Sequence, residues 1–158
     1  MKKKFFKNGL AFEISKRSRE ILKKNAQINK ISDRIKVYES ANLSSLTIAL
    51  KNFNHRKLLF LVDIEGGEYD LFNDNFCKKF SKGTFIIEDH PFNVNNKKKV
   101  KNFIKNIKKY YKIEILKDIS KNPLNFDILD KYTDDEKYLM MSEGRPQKMQ
   151  WLILQPKK

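Results

Sequence analysis

Short apolar runs alternate along the chain with segments in which apolar residues recur every three or four positions. A short run predicts a β-strand, and the wider spacing predicts a helix with one buried stripe. The predicted strands are residues 10–14, 31–38, 58–62, 84–87, 113–115 and 149–154. Between them lie helices with apolar stripes at residues 21–28, 46–53, 72–80 and 100–107. Such alternation builds a mostly parallel sheet with helices on both faces, so the sequence predicts an α/β fold.

The run at 58–62 is the best candidate for a central strand, because unbroken apolar sequence suits a parallel strand covered on both faces. The pattern dissolves at residues 117–148. This polar segment is longer than most connections, which predicts a lid or a partly ordered insertion. One short helix is expected inside it, since Thr133 and Glu136 have the spacing of a capping box.

A length of 158 residues suits one domain, which we expect at residues 10–156 after a basic leader at 1–9. The net charge is +15, but the excess is mostly Lys spread along the chain. With few Arg for bidentate contacts, this charge disfavours nucleic acid as the main partner. The single cysteine, Cys77, precludes an internal disulfide and favours a reducing, cytoplasmic compartment. We expect no export signal and no membrane contact, since no run approaches the roughly 18 apolar residues of a membrane span.

Acidic residues follow three of the predicted strands, and ligands of open α/β sheets bind beyond the carboxyl ends of strands. Glu13 ends the first strand, where a carboxylate can bind both hydroxyls of a ribose. Its alternative role is a solvated acid near the start of a helix. Residues 63–68 hold three carboxylates and two glycines, a costly grouping unless a cation, a donor or a proton relieves it. The alternative is that Glu65 and Glu68 cap the next helix.

His90 follows Glu88 and Asp89 at the end of another predicted strand. A neighbouring carboxylate can orient and tune an imidazole as a general base, and the alternative is a polar histidine at the surface. His55 lacks such neighbours and is expected at the surface. Cys77 lies on an apolar stripe, so we expect a core residue rather than a nucleophile.

The segment 61–72 resembles the "hydrophobic, Asp, x, Glu, Gly, x, Glu" signature of FkbM-type S-adenosylmethionine-dependent methyltransferases. Upstream, residues 11–15 and 22–29 are similar to the acid of the family's second strand and to its "leucine, x, x, Asn, x, x, x, Asn" helix. The closing run 149–154 resembles the last, usually antiparallel, strand of the methyltransferase sheet. The resemblance therefore implies a Rossmann-like methyltransferase sheet that is mostly parallel and has an antiparallel C-terminal strand.

The resemblance also implies S-adenosylmethionine as the cofactor. The acceptor would be a small molecule or glycan, methylated on a hydroxyl of a sugar, lipid or secondary metabolite. The match assigns Glu13 to the ribose of the cofactor, Ala41 and Asn42 to its adenine, and Asp63 to the neighbourhood of its sulfonium.

The predicted catalytic residues are Asp63 and Glu65, which belong to the match, and His90, which is predicted from its neighbouring carboxylates. Asp63 and Glu65 would contact the substrate or a cation, and His90 would act as the base. Glu68 and Glu88 are predicted to bind the substrate. The sequence does not decide whether a metal ion is bound.

The chain departs from the family at its start, where residues 1–9 offer neither the first strand nor its glycine loop. We therefore expect a sheet that lacks the first β-α unit and has a gap beside the strand at 58–62. The chain would be a fragment, a degenerate homologue or a domain completed by a second polypeptide, which leaves its own catalysis open. The competing hypotheses are a non-catalytic Rossmann-like binding module, including one that binds nucleic acid through its basic surface, and a remnant without activity.

Overall fold

The computed structural model describes residues 6–91, 96–117, 122–142 and 150–157. The chain divides into two compact units, residues 1–53 and 54–158. Among the residues described, no helix is both long and apolar enough to cross a membrane. The single domain at 10–156 stays a prediction.

In its described residues, 6–53, the first unit contains a two-stranded parallel sheet and two helices. Its elements are β1 (Gly9–Phe12), α1 (Lys16–Ile28), β2 (Ile35–Tyr38) and α2 (Leu43–Ala49). Phe12 lies opposite Tyr38 in the register, and their rings stack with centroids 5.0 Å apart. The stacked rings belong to the last residue of each strand, at the carboxyl ends of β1 and β2.

Helix α1 begins at Lys16, because the Ser15 hydroxyl accepts a hydrogen bond from the backbone amide of Ser18. Its predicted apolar stripe is only partly buried. Ala26 is buried, whereas Ile21 and Ile28 are exposed. The expectation that both isoleucines belong to the core was therefore wrong, since a helical stripe marks a face without fixing how much of it is covered.

The described part of the second unit contains a four-stranded mixed sheet in the order β3-β4-β6-β5. Its elements are β3 (Leu59–Val62), α3 (Glu68–Leu71), α4 (Asp74–Lys79), β4 (Thr84–Asp89), α5 (Lys97–Tyr110), β5 (Tyr111–Lys117), α6 (Asp134–Met141) and β6 (Gln150–Pro156). Strands β3 and β4 are parallel, and β6 is antiparallel to both β4 and β5. The predicted antiparallel closing strand is confirmed, although Met149, its predicted first residue, lies outside the described residues.

A cluster of phenylalanines forms the core of this unit. Phe72, Phe76, Phe80 and Phe85 are at most 1% exposed. Full burial of each such ring contributes about 1.5–3 kcal/mol. The sequence predicted one helix here, but α3 and α4 are separate because the Asn73 side chain accepts from the amide of Phe76 and starts a new helix.

Strand β3 is covered on one face only in the described structure. Phe60 packs on Phe80 and Phe85. Leu61, on the other face, is 70% exposed. Among the described strands, β3 pairs with β4 alone, so it is an edge strand rather than the central strand that its apolar run predicted.

The polar segment before β6 is built partly as predicted. Thr133 and Glu136 form a capping box at the start of α6, which confirms the expected short helix. Two 3₁₀ turns, Pro123–Asn125 and Asp127–Leu129, precede it. Whether the segment acts as a lid stays a prediction, and residues 118–121 and 143–149 lie outside the described part.

Candidate functional site

The register of β3 and β4 brings two acidic segments to one edge of the sheet. Val62 lies opposite Ile87 in this parallel pair, so the carboxyl ends of both strands meet. The sequence predicted that Glu88 and Asp89 follow β4, but they are its last two residues. The strand extends this far because both residues pair with β6.

The turn after β3 has an unusual backbone. Glu65 has φ 52° and Gly66 has φ 99°, both in the left-handed region. Glycine adopts this region readily, whereas a residue such as glutamate does so at a cost of about 1–3 kcal/mol. The turn is closed by a hydrogen bond of 3.0 Å from the amide of Gly67 to the carbonyl oxygen of Ile64.

Glu68 holds this turn against the end of β4. Its side chain is 0% exposed. Oε2 accepts a hydrogen bond of 2.9 Å from the amide of Gly66, and Oε1 accepts one of 3.1 Å from the amide of His90. Because a buried carboxylate is costly unless hydrogen-bonded, these two donors explain how Glu68 is tolerated in the interior.

His90 lies at the centre of the acidic cluster, which comprises Asp63, Glu65, Glu68 and Glu88. Its side chain is only 2% exposed, which contradicts the alternative of a surface histidine. Nε2 lies 3.5 Å from Oε2 of Glu65, 3.7 Å from Oδ1 of Asp63 and 4.0 Å from Oε2 of Glu88. On the other side of the ring, Nδ1 lies 3.3 Å from Oε1 of Glu68. The predicted catalytic and substrate residues of this unit are therefore brought together around one imidazole.

The cluster changes the acidity of Asp63. Partial burial raises the pKa of its carboxyl, the charge of Glu88 raises it further, and His90 opposes the rise. This direction is expected when carboxylates share a small volume, since each disfavours the ionisation of the next. A cation placed among them would relieve the repulsion. Asp63, Glu65 and His90 each offer a ligand atom for one, and these atoms lie within 4.8 Å of one another.

A second buried group beside the cluster was not predicted from the sequence. The hydroxyl of Tyr69 donates to Oδ1 of Asp89, and Nε2 of Gln150 donates to Oδ2 at 2.6 Å. Burial raises the pKa of Tyr69, and the bond to Asp89 raises it further. The position of Tyr69 next to Glu68 could have pointed to a role for Tyr69 from the sequence. The involvement of Gln150 could not be read there, because it depends on the antiparallel register that places Gln150 opposite Asp89.

The predicted cofactor residues of the first unit make local contacts. Oε1 of Glu13 accepts a hydrogen bond of 2.7 Å from the amide of Ser15, close to the start of α1. The Asn42 side chain caps α2 by accepting from the amide of Ser45 at 2.9 Å. Ala41 precedes this cap and is half-buried. Their roles toward ribose and adenine stay predictions.

Cys77 and His55 differ in how they match expectation. Cys77 is 0% exposed, and burial raises the pKa of its thiol to about 12, so the prediction of a core cysteine is confirmed. His55 is half-buried, and its ring lies 5.3 Å from that of Phe80 between centroids. It is therefore less exposed than predicted.

The fold is similar to that of a known methyltransferase domain. The chain is similar to the METTL16 methyltransferase domain, with a TM-score of 0.52, 15% identity and coverage of 93% of this chain and 49% of that one. It also matches a SAM-dependent O-methyltransferase from Thermotoga maritima at a TM-score of 0.45 and 10% identity, over 96% of this chain and 51% of that one. The chain thus spans about half the length of each. The prediction of a Rossmann-like methyltransferase fold with an antiparallel closing strand is confirmed.

No family model and no curated protein matches the sequence. Membership of the FkbM family therefore stays a prediction.

Proposed function

We propose that the chain is an S-adenosylmethionine-dependent O-methyltransferase, or a fragment of one, that acts on a hydroxyl of a sugar, lipid or secondary metabolite. The observation that carries the proposal is the buried imidazole of His90 among four carboxylates at the ends of β3 and β4. In α/β sheets of this kind, ligands bind at such strand ends. The likeness to the METTL16 domain supports the fold that this activity needs.

The residues fit a positively charged cofactor. S-adenosylmethionine supplies an activated methyl group on a sulfonium, and a group of carboxylates attracts positive charge. Asp63 and Glu65, which are 50% and 74% exposed in their side chains, can contact solvent-borne ligands. We assign them to the acceptor or to a cation, and we keep Asp63 as a contact of the cofactor as well.

His90 is the proposed base. When the hydroxyl oxygen of the acceptor takes the methyl group, the hydroxyl must lose its proton to a base. Nε2 of His90 faces Asp63 and Glu65, and we propose that the acceptor hydroxyl binds beside these carboxylates. Glu68 and Glu88 remain proposed substrate residues. The complete burial of Glu68 favours a positioning role, in which its carboxylate orients the His90 ring.

The proposed cofactor contacts of the first unit are Glu13, Ala41 and Asn42. They are tested by calorimetric titration with S-adenosylmethionine and S-adenosylhomocysteine. We expect saturable binding to the wild type, weaker binding to Glu13→Gln and unchanged binding to Glu20→Gln, an exposed glutamate on α1. Equal binding by the two variants would remove Glu13 from the site, and no binding by a folded wild type would contradict the function.

The proposed second polypeptide would complete the sheet. Strand β3 has one described partner, and Leu59 and Leu61 on its open face are exposed. An edge of this kind can pair with another strand. Leu61→Lys should weaken any association of the chain with itself or with a second polypeptide, as measured by sedimentation. If an associating chain sediments unchanged after this substitution, association at β3 is excluded.

A second candidate function is supported by the basic surface of α5. Seven exposed lysines lie on this helix, at positions 97, 98, 99, 101, 105, 108 and 109. Lys99 and Lys109 pair with Asp70 and Asp74, respectively. A non-catalytic module of this kind would bind an RNA or DNA panel with an affinity that falls steeply as salt is added. Absence of binding at low salt would remove this candidate.

A further inference from the structure

Asp63, Glu65 and His90 bring three potential metal ligands to the carboxyl ends of β3 and β4. Nε2 of His90 lies 3.5 Å from Oε2 of Glu65 and 3.7 Å from Oδ1 of Asp63. Ligand atoms bound to one ion at about 2.1 Å and at tetrahedral angles lie about 3.4 Å apart. The two distances from Nε2 are slightly longer, and the three ligand atoms lie within 4.8 Å of one another, so the exposed side chains of Asp63 and Glu65 would have to move closer to complete the coordination.

The imidazole is built into the protein rather than displayed on its surface. His90 is 2% exposed, and the carboxylate of Glu68 lies 3.3 Å behind Nδ1. Glu68 is fixed in turn by the amides of Gly66 and His90. A carboxylate behind the second ring nitrogen is the usual support of a metal-binding histidine, because it sets the ring orientation. This arrangement directs Nε2 toward Asp63 and Glu65.

The charge of the cluster also favours a cation. Four carboxylates, those of Asp63, Glu65, Glu68 and Glu88, lie within 4.0 Å of the ring nitrogens of His90. Even a charged imidazole would leave an excess of negative charge. The third oxygen near Nε2, Oε2 of Glu88, could join the coordination directly or through water.

We propose that Asp63, Glu65 and His90 bind a divalent transition-metal ion. Imidazole nitrogen suits Zn²⁺ and its neighbours, and carboxylate oxygen suits Mn²⁺ and Mg²⁺, so this mixed set favours Mn²⁺ or Zn²⁺ over Mg²⁺ and Ca²⁺. The metal site goes beyond the proposed methyl transfer and does not require it. An ion would occupy the lone pair on Nε2, so the role of His90 as a base belongs to the metal-free form.

The first test is titration of the untagged full chain with Mn²⁺ in the absence of cofactor. The electron paramagnetic resonance signal of free Mn²⁺ measures how much of the ion remains unbound. We expect saturable binding that weakens by about tenfold or more in Asp63→Asn and in Glu65→Gln. Both side chains are at least half exposed, so these variants should fold. Glu20→Gln is the matched control and should bind as the wild type does.

The second test identifies the nitrogen ligand. Pulsed electron paramagnetic resonance of bound Mn²⁺ should show a nitrogen coupling that persists in His55→Gln, because the chain has only two histidines. The proposal is overturned by a folded chain that binds no Mn²⁺, by equal binding in Glu65→Gln and Glu20→Gln, or by bound Mn²⁺ without nitrogen coupling. A chain that binds S-adenosylhomocysteine but not Mn²⁺ contradicts the metal site alone, and the converse contradicts the methyltransferase alone.

Discussion

The carboxyl end of β1 carries an acid, and so do the carboxyl ends of β3 and β4, which are adjacent to each other. The acidic side chains at these two places have different environments. Glu13 is half-buried, and its Oε1 bonds to the amide of Ser15, two residues further along the chain. Glu68 is fully buried and joins the turn after β3 to His90, 22 residues away. An acid on one strand can therefore bond to the start of its own helix, whereas acids on two adjacent parallel strands can form a shared site.

The largest expected effect is that of Glu68→Ala. The buried amide of His90 and the partly buried amide of Gly66 would lose their acceptors, and each unsatisfied buried group costs about 1–3 kcal/mol. We therefore expect the free energy of unfolding to fall by about 2–4 kcal/mol. Urea unfolding followed by Trp151 fluorescence measures it, because this single tryptophan lies opposite Glu88 in the sheet. Glu68→Gln retains one acceptor oxygen and should lose less; an equal loss would contradict the bridging role.

Tyr69→Phe should have the next largest effect. The change removes the donor to the buried carboxylate of Asp89, at a cost of about 1–3 kcal/mol. The pKa of Tyr69 is raised by burial and by Asp89, so the folded state holds this proton more tightly than the unfolded state. Its stabilising contribution is complete below the ordinary pKa of 10.0 and is lost as the pH rises further. Urea midpoints of wild type and variant should converge in that alkaline range, and parallel curves would exclude the linkage.

Glu13→Ala should affect only the first unit. It removes the acceptor for the amide of Ser15, an exposed local bond worth about 0.5–1.5 kcal/mol. Amide exchange at Ser15 should become faster, while the Trp151 unfolding midpoint stays unchanged. A loss as large as that of Glu68→Ala would remove the distinction between the two strand ends.

The smallest effect is expected for the exposed pair of Asp74 and Lys109. A hydrogen bond of 2.8 Å from Nζ of Lys109 lowers the pKa of Asp74. The contribution of this pair to the stability of the folded state is therefore present above the ordinary pKa of 3.8. It is lost as the pH falls through the lower pKa that Asp74 has in the folded state. Asp74→Asn should slightly flatten the acid limb of the stability curve, and Lys109→Met should do the same. An effect at neutral pH as large as that of Tyr69→Phe would contradict this ranking.

Local signals predicted most of the elements. The capping box of Thr133 and Glu136 and the cap at Ser15 depend on residues a few positions apart, so both helix starts could be read from the sequence. The break at Asn73 is also local, but the apolar stripe on both sides of it concealed the second cap. The meeting of residues 63–68 with His90 followed from the general geometry of parallel strands.

Long-range register accounts for what the sequence did not predict. Their local sequence does not predict that Glu88 and Asp89 belong to a buried strand. They extend β4 because they pair with Trp151 and Gln150 of β6. The complete burial of Glu68 likewise requires the amide of His90, which no local pattern supplies. Exposure of Leu61 depends on what covers the sheet face, and hydrophobic pattern alone does not contain that information.

Under the proposed function, the cofactor and the acceptor react at the cluster around His90. The most direct measurement is the nitrogen-15 spectrum of the two imidazoles during titration with S-adenosylhomocysteine, with His55→Gln to assign the signals. We expect the resonances of His90 to shift in a saturable manner while those of His55 stay in place. A folded chain in which neither histidine responds at saturation, or in which only His55 responds, would contradict it.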